Sequence, residues 1–158
     1  MNSKKTGHVR YLLFIALTVL FTSCSNDKPV PINTRQDNCA FCKMGITNMQ
    51  FASELITSKG KVYKFDSIEC MASYYEEHKK SYTKAPKLWV HDFLHPDKWM
   101  SIQNAVFIKS DKIHSPMGMD LIAVKNDSEW KNIKQQFGGS RLHWSRLLTY
   151  VKNNMNQD

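Results

Sequence analysis

No apolar run in this chain reaches the ~20 residues that a bilayer-spanning helix needs. The longest, Tyr11 to Phe21, is interrupted by Thr18. Arginine clusters interleaved with aromatic residues are missing, so a net charge of +8 does not amount to a nucleic-acid face. The scattered lysines read as solvated surface. A Ser-His-Asp arrangement, a phosphate-cradling loop and a carboxylate pair placed for acid–base work are also lacking. The chain therefore reads as a binding protein rather than an enzyme. Cysteine is scarce, with four in 158 residues, so each thiol needs an explanation.

The first thiol is explained by its place. Lys4, Lys5 and Arg10 precede the apolar run, and Thr22-Ser23-Cys24 follows it. This is the layout of an export signal. Small residues before a Cys at the end of the run point to cleavage there and lipid attachment to Cys24. Phe21 departs from the aliphatic residue usual three places before such a Cys. Residues 1–23 are thus expected to be a lipoprotein signal. Residues 24–37, rich in Ser, Asn, Asp and Pro, form a flexible tether. Losing the three basic residues of the signal takes the charge of +8 down to +5, so much of the basic excess is targeting. Residues 38–158 make one domain's worth of chain.

Cys39, Cys42 and Cys70 remain. An exported chain with an odd number of thiols is not a disulfide framework. The stretch Asn38-Cys39-Ala40-Phe41-Cys42-Lys43-Met44 sets two thiols with two residues between them and a thioether two positions further on, and Cys70-Met71 pairs the same two groups. Soft sulfur donors of both kinds suit Cu(I). A C-x-x-C turn puts two sulfurs within reach of one metal, and a Cys at the start of a helix is favoured as thiolate. Met44 and Met117 lie in loops beside Gly or Pro, where packing gives them less reason to be. Met71 falls on an apolar helix stripe and reads equally well as core. Met49, Met100 and Met119 read as core or surface. Of the histidines, His91 and His114 are better placed than His95 to add a nitrogen.

Hydrophobic periodicity gives the elements. Strands are expected over 51–57 and 61–65, joined by a Ser58-Lys59-Gly60 turn. A helix follows over 67–80, capped by Asp66 with Glu69 completing a capping box. Further strands are expected over 87–93, 99–102, 105–109 and 121–124. A helix capped by Asp127 or Ser128 runs to Phe137 and ends at Gly138-Gly139. A short strand over 141–144 and a helix over 145–153 close the chain. Strand, strand, helix, strand occurs twice, without a residue-level repeat. The fold class is α+β, with two such halves of about 38–95 and 96–158 and mostly antiparallel sheets.

Taken together these pieces resemble the NosL family, lipoprotein copper chaperones for nitrous oxide reductase. The resemblance rests on the lipoprotein signal, Cys39-Ala-Phe-Cys42-Lys-Met44, Phe51-Ala52, Gly60 with Phe65-Asp66-Ser67-Ile68-Glu69-Cys70-Met71, Trp89-Val90-His91-Asp92 and Pro116-Met117-Gly118. It covers about 38–124, with a weaker tail to Gly139. It implies a monomeric Cu(I) carrier, lipid-anchored at Cys24 on the periplasmic side of a bacterial membrane, the outer one favoured. It implies delivery to apo nitrous oxide reductase or its membrane maturation machinery. The metal-handling set it implies is Cys39, Cys42, Met44, Cys70 and Met117.

Two other readings stay open from the residues. One is a thiol-disulfide oxidoreductase using Cys39 and Cys42, though the motif follows a polar tether and not a thioredoxin-like strand. The other is a structural zinc knuckle, which needs a fourth ligand for which only histidines are candidates.

Overall fold

A computed structural model describes residues 28–155. Cys24, the signal and the start of the tether lie outside the described residues. Within the described residues, strand β1 (Ser53–Ile56) turns through Gly60, whose φ of +79° is open to glycine at little cost, into β2 (Val62–Phe65). Helix α1 (Ile68–His78) follows, then a short 3-10 turn (Lys79–Ser81), β3 (Lys87–His91) and β4 (Trp99–Ser101). The second half holds β5 (Val106–Lys109), β6 (Leu121–Val124), α2 (Asp127–Phe137), β7 (Ser140–Leu142) and α3 (Trp144–Met155).

Both sheets are antiparallel throughout, in the orders β2-β1-β3-β4 and β6-β5-β7. The α+β class expected from the sequence is the one observed. The two halves share an order: in each, the first strand lies between the second and the third. β4 is the addition. It pairs with β3, with Val90 opposite Met100, so the first sheet runs past the expected boundary near residue 95.

The main core forms where the two sheets and two helices meet. Leu55, Phe65 and Val90 of the first sheet, Ile68 and Met71 of α1, Phe107 and Leu121 of the second sheet, and Leu147 and Val151 of α3 are all buried in one cluster. α2 covers a second cluster, placing Ile133 with Ile108 and Ile122. Alternate residues of β5 thus serve different clusters, as period-2 side chains do. Met71 and Met119 are core, and so is Met100.

The helix caps differ from the expected ones. Ser67, not Asp66, caps α1: its backbone is extended and its Oγ accepts from Cys70 N at 3.2 Å. Asp66 and Ser67 are adjacent residues of N-capping type, and the later one is used. Asn126 caps α2 through its Oδ1, which accepts from Glu129 N at 3.0 Å. The α2 end is as expected: Gly138 N donates to Lys134 O at 3.0 Å, with φ +69°. Gly139, at φ +94°, runs so close to β5 that an added Cβ would sit 2.3 Å from Lys109 O. Gly139→Ala is therefore expected to cost roughly 2 kcal/mol or more of stability. A chemical denaturation midpoint unmoved by the change would contradict this close approach.

Candidate metal centre

The C-x-x-C segment is a closed turn. Cys39 N donates to Met44 O at 2.8 Å, Lys43 N donates to Cys39 O at 3.1 Å, and Asn38 bridges Gly45. Lys43 takes φ +68°, the left-handed conformation that lets the turn close. Ala40 N donates to Lys64 O at 2.8 Å, which ties the turn to β2. β2 ends at Phe65, and the next residues are Asp66, the cap Ser67 and α1 with Cys70. Pairing to β2 thus carries the turn to the start of α1.

The result is a compact donor cluster. One ligand atom each from Cys39, Cys42, Asp66 and Cys70 lies within 4.8 Å of all the others. Cys39, Asp66 and Cys70 are buried and Cys42 is half-buried, so the group opens on the Cys42 side. All three thiols are free. The Cys42 thiol donates to Asp66 Oδ2 at 3.6 Å, and Asp66 Oδ1 is buried with no partner. A buried carboxylate oxygen without a partner is costly, and a cation bound among the sulfurs would satisfy it.

The protons are unevenly placed. The Cys70 thiol donates to Cys39, and the amides of Asp66, Cys42 and Phe41 add to it, so Cys39 falls to about 6 despite its burial. Cys70 is pushed up, first because it is the donor to Cys39 and then by burial and the Asp66 charge. Burial also raises Cys42, to about 11. The thiolate expected at the start of the helix thus resides on Cys39, because the Cys70 side chain faces a thiolate and a carboxylate. A soft metal ion entering here meets one thiolate ready and displaces protons from the others.

The remaining expected ligands are differently placed. Met44 is 50% exposed at the far end of the turn. Met117 is half-buried against the main core and lines a groove together with Phe41. His114 is exposed, with Nδ1 3.9 Å from Asp120. His91 is buried, both ring nitrogens lack partners, and its ring lies 3.7 Å from that of Trp99. Burial holds it down to about 4, so it is a neutral packing residue. Neither His91 nor His114 belongs to the cysteine group. Asp66 is the residue that sequence reasoning set aside, because its place before a helix already had a capping explanation.

The NosL family model matches residues 29–149. The chain belongs to the NosL family. Comparison with curated proteins finds no match. Among solved structures, the fold resembles the crystal structure of the copper chaperone NosL from Shewanella denitrificans, with a TM-score of 0.63 and 19% sequence identity. The likeness covers 75% of this chain and 94% of that one. At that identity the likeness speaks for the fold. The family match begins in the tether and ends within α3, so it takes in both sheets and the whole cysteine cluster.

Proposed function

We propose that this NosL-family chain is a Cu(I) carrier, not an enzyme, and that Cys39, Cys42 and Cys70 hold the copper. The observation that carries this reading is the cluster itself: three free thiols from two segments, gathered with one carboxylate within 4.8 Å and open on one side. Thiolates prefer Cu(I), and a half-open site can both keep an ion from solvent and release it to a partner. Met44, exposed beside the turn, and Met117, in the groove with Phe41, act as weaker thioether donors during capture or hand-over. The client is apo nitrous oxide reductase or its membrane maturation machinery, reached by a monomer anchored through Cys24 on the periplasmic side of the membrane. Tethering there raises the effective concentration of carrier near its client.

The delivery step is tested by mixing the Cu(I)-loaded protein with apo nitrous oxide reductase and following copper on each. Transfer that outpaces transfer from a small-molecule Cu(I) complex supports the reading, and equal rates contradict it. The thioethers have a separate test. Met44→Ala and Met117→Ala are each expected to weaken Cu(I) binding by roughly tenfold with the fold unchanged, the scale seen for groups that support a metal ligand. If neither moves the affinity, the thioethers have no part in binding.

One observation favours a second reading. Asp66 supplies the fourth donor that the zinc knuckle lacked, since three sulfurs and a carboxylate oxygen also suit tetrahedral Zn(II). A structural zinc site would be closed, whereas Cys42 is half-buried here.

A further inference from the structure

A second group of metal-binding side chains lies away from the cysteines, at the junction between the two sheets. Asp92 follows β3, His95 lies in the turn after it, and Glu129 is in the first turn of α2. One ligand atom from each lies within 4.8 Å of the others. The junction is pinned by Phe93 N, which donates to Ala123 O of β6 at 2.8 Å.

Asp92 is 1% exposed, and a buried carboxylate needs compensation. Its Oδ1 accepts from Leu94 N at 3.0 Å, and its Oδ2 lies 3.1 Å from His95 Nδ1. Glu129 Oε2 accepts from Lys125 N at 2.7 Å, and its other oxygen is free to take a ligand. The three residues line a cleft of about 510 Å³ with Trp89, Trp99 and Lys98. The Trp89 indole N–H is buried without a partner, a donor for a water or ligand oxygen carried on an ion. Two lysines of the lining, Lys98 and Lys125, would oppose a cation, but Lys98 pairs with Asp97 at 2.7 Å on the exposed surface and Lys125 is exposed to solvent.

We propose that Asp92, His95 and Glu129 form a second metal site, for a divalent cation of the zinc type. One imidazole and two carboxylates are borderline and hard donors that do not favour Cu(I). Three protein ligands leave a position open to the cleft. The site is chemically distinct from the sulfur cluster and does not depend on what that cluster carries.

Co(II) is the probe, because its spectrum separates thiolate from nitrogen–oxygen ligation. It is titrated into the reduced full-length protein, followed by displacement with Zn(II). The expected result is a d–d absorption component without thiolate charge transfer, saturating near one Co(II) per chain. His95→Ala and Glu129→Gln should each weaken that component by at least about tenfold. His95 is largely exposed, and Gln keeps an oxygen to accept from Lys125 N while Asn126 still caps α2, so both variants should fold. Absorption that always carries thiolate charge transfer overturns the proposal. So does a nitrogen–oxygen component that survives both substitutions.

Discussion

Cys39→Ser is expected to lower Cu(I) affinity by at least about a hundredfold, more than the loss of any group that merely supports a ligand. Serine fills nearly the same volume but offers a hydroxyl, a hard and weakly acidic donor that Cu(I) does not favour. Cys39 is the thiol that the cluster holds as thiolate, lowered to about 6 by the Cys70 thiol and three amides. Removing it takes away both a ligand and the negative charge that attracts the ion. The turn itself is held by backbone bonds, from Cys39 N to Met44 O and from Ala40 N to Lys64 O, and these survive the change. The circular dichroism spectrum should therefore be unaltered while chelator competition reports the lost affinity. An affinity within about threefold of the parent would remove Cys39 from the site.

Glu69→Ala is expected to destabilise the protein by about 2 to 4 kcal/mol. Glu69 is buried beside Cys70, where it accepts from Ser115 Oγ and from Leu121 N, the latter at 3.3 Å. It thereby joins the start of α1 to the 115–121 loop that carries Met117. Alanine leaves two buried donors unpaired, whereas Glu69→Gln keeps a carbonyl oxygen for them. The parent and Glu69→Gln also separate in pH. Burial raises the Glu69 carboxyl above its ordinary value of 4.5, with the Ser115 and Leu121 bonds opposing. The folded state then binds this proton more tightly than the unfolded chain. The stabilisation is fully present below about pH 4.5 and is lost as pH rises through the folded value. Urea midpoints at about pH 5 and about pH 8 should show a smaller decline with pH for Glu69→Gln than for the parent. Glu54, raised to about 7 by burial, contributes a similar slope to both proteins and cancels in the comparison. Equal slopes would mean that Glu69 is not held protonated.

The parts of this molecule that the sequence made legible are those governed by local rules. Alternation and turn residues located β1, β2 and the Gly60 turn to within a few residues. The Gly138-Gly139 stop fell where the helix ends. What was not legible depends on tertiary approach. Asp66 looked like a cap because capping is local, and only the pairing of the 39–44 turn with β2 shows it among three sulfurs. β4 looked like the start of a second half because it follows a loop, yet it hydrogen-bonds back to β3. The sequence ranked His91 above His95 as a nitrogen donor, but their surroundings are set by tertiary packing. One is buried against Trp99, and the other meets Glu129 only because the two sheets abut.

Titration of Cu(I) into the reduced protein against a competing chelator, repeated with Zn(II) present, decides whether Cys39, Cys42 and Cys70 form a copper site. One tightly bound Cu(I) per chain is expected, with sulfur-to-copper charge-transfer absorption and no displacement by Zn(II). Absence of that absorption, or Zn(II) taking the sulfurs in preference to Cu(I), would contradict it and leave a zinc knuckle in its place.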